Sequence, residues 1–167
     1  MNRGTFTVIP DSTFVNNLRR VLMSQVPTVA IDTVLIYENN SCVHDEMLAH
    51  RLGLVPLDID PEHVGDDEEI EFTLDAETCR DTKDVLSRDL VSKHASPFLD
   101  NIVLTHLDPN QKVRIIAKAR KGKGAIHAKW SPITSFLRTE EDKVFIETTG
   151  LPAQRVLDAG MALLNTI

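Results

Sequence analysis

A long strand-like stretch lies between the helical parts of this chain, and this order constrains the fold more than any other feature. Apolar and polar residues alternate over 69–74, and residues 102–107 and 113–119 also have an extended pattern. Alternation with a period of two residues is typical of strands that bury one face. The sequence therefore predicts an α+β fold in which a β-rich segment, about residues 58 to 135, is inserted between two helical parts.

The first helix is predicted over residues 13–25, between a turn that contains an N-cap residue and Pro27. At about 100° per residue, its apolar side chains fall on one stripe, whereas Arg19 and Arg20 lie on the opposite side with Asn16 and Met23. The stripe contains Phe14, Val15, Leu18, Val21 and Leu22. This helix therefore has one face for a core and one for another contact.

Several shorter elements are predicted from local patterns. A second helix over 44–52 is expected to end at Gly53 as its C-cap, because the following Val55-Pro56 cannot continue it. The turn at Pro109-Asn110 is expected to close a hairpin between the strands at 102–107 and 113–119. Further strands are expected over 5–9, 29–37 and 144–148.

The last predicted helix opens at Pro152, runs to about Asn165 and is apolar around most of its circumference. A helix that buries one side against its own domain needs an apolar stripe of only about 100°. A wider apolar surface is either buried on several sides or covered by a partner. We therefore expect this chain to need a partner protein. The apolar residues are Val156, Leu157, Ala159, Gly160, Met161, Leu163 and Leu164.

Composition excludes several protein classes. The chain is 42% hydrophobic and 26% charged, which is close to the globular average and argues against intrinsic disorder. No apolar run approaches the ~20 residues that span a bilayer, and the N-terminal residues lack a signal-peptide core, so neither membrane insertion nor secretion is expected. The two cysteines, Cys42 and Cys79, have neither disulfide-framework nor zinc-motif spacing.

Charge is distributed unevenly along the chain, whose net charge is −7. Residues 58–89 contain 13 acidic side chains, whereas residues 109–139 contain none. The negative net charge argues against free-standing binding to nucleic acid. Two interpretations of the basic segment stay open: it is neutralised by the acidic segment within one domain, or it faces a partner. Its cations are Lys112, Arg114, Lys118, Arg120, Lys121, Lys123, Lys129 and Arg138.

No motif predicts catalysis or a bound metal. His44 and His50 are six positions apart, whereas a helical zinc motif places its histidines four apart. Residues 120–124 lack the length and the following Ser or Thr of a phosphate-binding loop. A nucleophile elbow and a plausible Cys/His pair are also missing from the sequence. We expect neither an enzyme nor a cofactor-binding protein.

Three segments together resemble one protein family. They are Asn17–Leu22 with its continuation through 26–32, Asp45–Leu57, and Lys118–Gly124 with 127–132 after it; weaker matches occur at 87–91 and 145–150. Their order and spacing resemble the α-like subunit family of DNA-directed RNA polymerases. This family contains the third-largest subunit of the eukaryotic enzymes and its archaeal counterpart, with the bacterial α N-terminal domain as a more distant member. The matches cover roughly two-thirds of the chain, and Asp45–Leu57 is the most specific.

The resemblance implies a non-catalytic assembly subunit of a multisubunit DNA-dependent RNA polymerase. It implies a discontinuous dimerisation domain of sheet plus helices at residues 1–57 and 140–167, with an inserted β-rich domain at 58–139. In this family the dimerisation domain pairs with a smaller α-like subunit, and the pair holds the largest and second-largest subunits. The active-site magnesium belongs to those large subunits. The chain itself would need no cofactor and no membrane, and it would meet DNA and RNA only through the complex.

The resemblance also implies contacts for particular residues. Contacts with the large subunits are implied for Arg19, Arg20, Arg120, Lys121, His127, Lys129 and Trp130, and the loop that holds the last three resembles the family's contact with the second-largest subunit. The heterodimer interface is implied for Phe14, Leu18, Val156, Leu157, Gly160, Met161 and Leu164. Trp130 beside Lys129 is expected to be an aromatic anchor within a charged rim, or alternatively a core residue.

This sequence departs from the family in its insert. Many relatives carry a cysteine-rich zinc loop or an iron–sulfur domain there, whereas only Cys79 lies near that place, so no metal is expected. Such a subunit would be intracellular, in the cytoplasm if it is archaeal or viral and in the nucleus if it is eukaryotic. The competing interpretation is a free-standing protein-interaction domain of this fold outside transcription, and behind it an unrecognised small enzyme.

Overall fold

The structure is a computed structural model that describes residues 2–7, 11–138 and 143–165. The described residues form strands and α-helices in the order β1 (Asn2–Thr7), α1 (Ser12–Ser24), β2 (Pro27–Asn39), α2 (Asp45–Gly53), β3 (Leu57–Asp58), β4 (Ile70–Glu77), β5 (Lys83–Leu86), β6 (Ser96–Pro97), β7 (Val103–Leu107), β8 (Lys112–Lys123), β9 (Ile133–Arg138), β10 (Lys143–Thr148) and α3 (Ala153–Leu164). This mixture of helices and sheets confirms the predicted α+β class.

The chain divides into two compact units whose bounds differ from the predicted domains. The first unit comprises Met1–Thr28 and Gly122–Ile167, and the second comprises Val29–Lys121. Sequence patterns placed the first boundary after residue 57, but Ile31, Leu48 and Leu52 belong to the same buried cluster as Phe72 of β4. Hydrophobic burial therefore assigns β2 beyond Thr28, and the whole of α2, to the second unit. The other boundary was predicted at 139/140, among residues outside the described ranges, whereas the second unit ends at Lys121. Residues 122–138, which were predicted to belong to the insert, therefore belong to the first unit.

In the first unit, α1 and α3 pack on each other and contact an antiparallel sheet of order β1-β10-β9. The helix α1 begins where Asp11 accepts a hydrogen bond from the Thr13 amide at 2.9 Å, as an N-cap residue does. The helices approach closely at Gly160, where an added Cβ would lie 2.3 Å from Leu22 Cδ2. The core contains Val15, Leu18, Leu22, Val26, Ile133, Val144, Ile146 and Val156.

In the second unit, β8 lies between β2 and β4 in a three-stranded sheet. Strands β4 and β8 pair antiparallel from Ile70↔Ala119 to Glu77↔Lys112, and alternate residues of each are buried. The core contains Phe72, Leu74 and Ala76 from β4 and Val113, Ile115, Ala117 and Ala119 from β8. It is completed by Leu48 and Leu52 of α2 and by the paired strands β5 and β7. The opposite face of β4 and β8 carries charged side chains.

Two local predictions are wrong. The turn at Pro109-Asn110 exists, with Asn110 at a positive φ of 63°, but it does not close a hairpin. It joins strands of different sheets, since β7 pairs with β5 while β8 pairs with β2 and β4. Gly53 is the last residue of α2 rather than its C-cap; Leu54 takes that place in a right-handed conformation that does not require glycine. The predicted strand over 5–9 is seen as β1 up to Thr7, and residues 8–10 lie outside the described ranges.

Candidate protein interface

A turn that follows β8 packs against the last turn of α1. The Ala125 amide donates a hydrogen bond to the Ser24 carbonyl at 2.9 Å, and the Ile126 amide donates to the Lys123 carbonyl at 2.9 Å. Gly124 approaches the helix so closely that an added Cβ would lie 1.9 Å from the Met23 carbonyl oxygen. Only glycine allows this approach. The helix α1 with Arg19 and Arg20, and the loop that holds His127 and Lys129, were predicted separately as contact sites. They are therefore adjacent in the first unit.

The surface formed by this turn and the end of α1 combines apolar and cationic side chains. Ile126 is 73% exposed, and Met23, in the helical turn beneath, is 43% exposed. Arg20, Lys123 and His127 are exposed, and Arg19 and Lys129 are half-buried. We call Arg19, Arg20, Met23, Lys123, Ile126, His127 and Lys129 the Ile126 patch. The sequence prediction did not include Ile126; a large apolar residue two positions after Gly124 in a basic loop was the available signal.

Trp130, predicted as an aromatic anchor at this surface, is instead a core residue. Its side chain is 2% exposed and lies over Gly122, where an added Cβ would be 2.3 Å from the ring. The Trp130 carbonyl accepts a hydrogen bond from the Thr28 hydroxyl at 2.7 Å. Lys129 Nζ stands 4.3 Å from the ring centroid, a cation–π distance. The ring is therefore used to attach the loop to its own unit, and the alternative interpretation of Trp130 is the correct one.

The arginine and lysine before the turn belong to the second unit and are paired. Arg120 Nε lies 2.6 Å from Asp32 Oδ2, and Lys121 Nζ lies 3.2 Å from Asp66 Oδ1. Three more ion pairs continue along β8: Lys112–Glu77 at 3.0 Å, Arg114–Asp75 at 3.2 Å and Lys118–Glu69 at 2.7 Å. The hydrogen bond that Lys118 donates to Glu69, and then the charge of Glu69, raise the pKa of Lys118. Over residues 112–121 four cations are therefore neutralised by the acidic segment and Arg120 by Asp32 of β2.

A second candidate surface is an apolar pocket of about 180 Å³ in the first unit. It is lined by Phe6, Thr7, Phe14, Leu18, Val144, Ile146, Leu157 and Met161. Of the residues predicted for a heterodimer interface, Phe14, Leu157, Met161 and Leu164 are half-buried and retain surface for a partner. Leu18, Val156 and Gly160 are buried in the α1–α3 core, although Leu18 also lines the pocket, and their place in a heterodimer interface stays a prediction. The apolar surface of α3 is wide because part of it is buried in the chain's own core.

Comparison with known proteins identifies the family. The RNA polymerase Rpb3/Rpb11 dimerisation domain matches residues 10–166, nearly the whole chain. This chain belongs to that family. The resemblance drawn from the three sequence segments is therefore confirmed.

Members of the Rpb3/Rpb11 dimerisation family with clear similarity come from archaea and eukaryotes. The chain is 37% identical to DNA-directed RNA polymerase subunit Rpo3 of Methanocaldococcus jannaschii, over 96% of this chain and 83% of the relative. It is 36% identical to Rpo3 of Methanopyrus kandleri, covering 86% and 60% of the two chains. Subunit 3 of Arabidopsis thaliana RNA polymerases II, IV and V is 37% identical, with 81% and 52% covered. The chain thus spans little more than half the length of some relatives, and these similarities support a role as an RNA polymerase subunit.

Many relatives carry a zinc loop or an iron–sulfur domain in the insert, and the described residues of this chain show no ligand set for either group. Among the described residues, no group of three or more His, Cys, Asp or Glu side chains is arranged to hold a metal ion. Cys42 and Cys79 are both exposed and free. Within the same described ranges, no helix is long and apolar enough to cross a membrane.

Proposed function

We propose that this chain is a non-catalytic assembly subunit of a multisubunit DNA-dependent RNA polymerase. In this role its first unit pairs with a smaller α-like subunit, and the heterodimer then holds the largest and second-largest subunits. The observation that carries the proposal is the apolar pocket lined by α1, α3, β1 and β10, found in a member of a dimerisation family. Magnesium, DNA and RNA would be bound by the large subunits of the complex.

The pocket supports pairing because its rim is apolar and only half covered. Phe14 of α1 and Leu157 and Met161 of α3, which line the pocket, are each partly exposed. Complete burial of one such side chain stabilises a protein by about 1.5–3 kcal/mol relative to full exposure. Covering these three partly exposed side chains therefore contributes part of that amount at each position. A partner of similar fold can cover them with an equivalent surface, which gives a shared core around a pseudo-two-fold axis.

The pairing can be tested by co-expression with the smaller subunit from the same source. Met161→Glu should abolish the 1:1 heterodimer, because a carboxylate would be buried against an apolar partner without a counter-charge. Ala162→Glu is the matched control, since the same charge is then added at an exposed position of α3. Sedimentation velocity measures the complex, and circular dichroism checks that both variants fold. Normal pairing of a folded Met161→Glu chain would contradict the proposal.

Assembly into a polymerase can be tested by affinity purification from the native source followed by mass spectrometry. The smaller α-like subunit and both large subunits should be recovered in equal amounts. Recovery of the chain without any polymerase subunit would favour the free-standing interaction domain or the small enzyme. As such a subunit, the chain would be found in the cytoplasm of an archaeal or virus-infected cell, or in a eukaryotic nucleus.

Two absences belong to the same proposal. We expect no stoichiometric metal in the purified chain, because neither its cysteines nor its histidines have ligand spacing. Elemental analysis that finds about one zinc or several irons per chain would contradict this. We also expect the isolated subunit to form no tight, sequence-selective complex with DNA or RNA, which a binding titration at physiological salt can check.

A further inference from the structure

We infer that a cleft in the second unit binds an extended protein segment in which lysine or arginine alternates with apolar residues. The cleft has a volume of about 870 Å³ and is lined by the start of β4 and by residues 91–94. It belongs to a different unit from the apolar pocket of the proposed function. The inference therefore goes beyond that function and does not depend on it.

The two walls of the cleft are extended segments that pair at one point and then separate. Thr73 and Val91 exchange two backbone hydrogen bonds, of 2.8 Å and 2.9 Å, as an antiparallel pair does. This pair is an isolated bridge, and within the described part of the chain Ser92 to His94 form no further pair with β4. The cleft therefore lies where a strand beside β4 is interrupted.

The edge of β4 in the cleft carries unpaired backbone groups. Alternate residues of a strand direct their N–H and C=O groups to the same edge, so Glu71 and Asp75 direct theirs to the edge on which Thr73 bonds Val91. Among residues 11–138, which the structure describes, neither residue has a backbone partner on that edge. An unpaired strand edge is a template for another strand, and extended peptides are bound in this way.

The two faces of the sheet define the side chains of the added segment. Ile59 and Ile70 line the cleft, are half-buried and pack against the core of the second unit. Glu69 and Glu71 are exposed on the opposite face, where Lys118 Nζ lies 2.7 Å from Glu69 Oε2. Successive side chains of a strand point to opposite faces, so an added strand presents one set to the isoleucines and the other set to the glutamates.

The charge of the cleft requires a cationic segment. Among the described residues that line it are five carboxylates and one lysine, Lys93. Asp58 and Glu71 are exposed, and neither forms an ion pair within the described part of the chain. Lysine or arginine side chains on the outer face of an added strand would complement these carboxylates, while its apolar side chains would cover Ile59 and Ile70.

Binding can be measured by isothermal titration calorimetry with the full chain and a short peptide of alternating lysine and valine, capped at both ends. A matched peptide of alternating glutamate and valine should not bind. Two N-methylated versions of the lysine peptide, one for each set of alternate residues, keep the charge and remove backbone donors. At least one of them should bind about tenfold more weakly, because the donors that face β4 are lost.

Charge reversal locates the electrostatic part of the binding. Glu71→Lys should weaken binding of the lysine–valine peptide by about fivefold or more, because an attraction is replaced by a repulsion. Asp81→Lys is the matched control, since it makes the same change at an exposed residue that follows the other end of β4. That end is about 20 Å from Glu71, beyond the Debye length of about 8 Å, so the affinity should change by about twofold or less. Circular dichroism checks that both variants fold.

Hydrogen exchange on the unmodified chain reports where the peptide lies. Exchange of the Glu71 amide, followed by NMR, should slow when the lysine–valine peptide is added, because this amide gains an acceptor. The Asp75 amide is the internal control: it faces the same edge beyond the Thr73–Val91 bridge and should exchange as before. General attraction of a cationic peptide to an acidic protein would not produce this difference.

The outcomes decide the inference without reference to the polymerase. Binding that is weakened by N-methylation and by Glu71→Lys, with slower exchange at Glu71, supports it. No binding, undiminished binding of both N-methylated peptides, or equal effects of Glu71→Lys and Asp81→Lys overturns it. The edge carboxylates would then only prevent β4 from pairing with other chains. Recovery of polymerase subunits with the chain tests the proposed function separately, so failure of one is distinguishable from failure of the other.

Discussion

The two halves of the basic segment use the same residue types for opposite purposes. On β8, the five cations from Lys112 to Lys121 each pair with a carboxylate of the second unit. In the turn that follows, Lys123 and Ile126 are exposed, and no acidic residue occurs within 109–139. The first half therefore contributes little net positive surface, whereas the second half leaves its cation exposed.

Strand pairing is the cause of this difference. The antiparallel register places Glu77 opposite Lys112 and Asp75 opposite Arg114, so the acidic segment of β4 meets the basic segment of β8. Opposite charges directly across an antiparallel pair stabilise a sheet. The turn has no cross-strand neighbour of this kind and is attached by Gly124 and Trp130 instead. A run of cations in a sequence therefore leaves net positive surface only where no paired strand supplies acidic side chains.

The largest expected effect tests how the turn after β8 is attached to the first unit. Trp130→Ala should lower the free energy of unfolding by about 3–5 kcal/mol, because it removes a buried ring and leaves a cavity above Gly122. Urea denaturation followed by circular dichroism measures this. Ile126→Ala in the same turn should change the value by no more than about 0.5 kcal/mol. Equal losses in the free energy of unfolding at the two positions would contradict the view that the buried Trp130 attaches the loop while the exposed Ile126 does not.

The next effect concerns the contact between the turn and α1. Gly124→Ala should lower the free energy of unfolding by about 1–3 kcal/mol, because the new methyl group would meet the Met23 carbonyl and force the backbone to shift. The Ala125 amide should then exchange with solvent faster, as measured by hydrogen–deuterium exchange. Gly65→Ala is the control, since its Cβ would be 3.6 Å from the nearest side-chain atom. Unchanged exchange at Ala125 would show that the turn does not depend on this glycine.

A smaller effect is expected for the ion pairs along β8. A double-mutant cycle of Asp75→Asn and Arg114→Gln should give a coupling free energy of about 0.2–1 kcal/mol, because both side chains are more than half exposed. The coupling should decrease when salt is added. A cycle that pairs Asp75→Asn with Arg20→Gln should show no coupling. A zero value for the first cycle would mean that strand pairing positions these charges without stabilising the sheet.

The smallest effect is a titration. The pKa of Lys118 should lie above its usual 10.5, chiefly because of the hydrogen bond and the charge of Glu69. Since the folded-state pKa is raised, the associated stabilisation is present below 10.5 and is lost as the pH rises through the higher folded value. Carbon-detected NMR of the lysine side chain follows the titration. Glu69→Gln should lower this pKa, and Asp75→Asn should leave it unchanged. The reverse pattern would show that Asp75, rather than Glu69, raises the pKa of Lys118.

Local sequence patterns predicted the helices and strands better than they predicted which strands pair. The helix expected over 13–25 is α1, with Asp11 as its N-cap, and the strand expected over 144–148 is β10. The short strand β5, which lies in an acidic stretch, and β9 were not predicted, because neither has a clear alternating pattern. The Pro109-Asn110 turn was predicted correctly, but the pairing of the two strands that it joins was not. A turn residue constrains its own φ and ψ and does not determine which strands pair.

The sequence by itself determined the α+β class, the family and the position of the basic loop, because periodicity, caps and the order of motifs are local properties of the chain. Only the tertiary structure decided which of those residues are exposed. Trp130 and Ile126 are close in sequence, yet Gly122 leaves space for the first ring and the turn directs the second side chain into solvent. Burial depends on residues distant in sequence, such as Thr28 for Trp130 and Leu22 for Gly160, so no local pattern contains it.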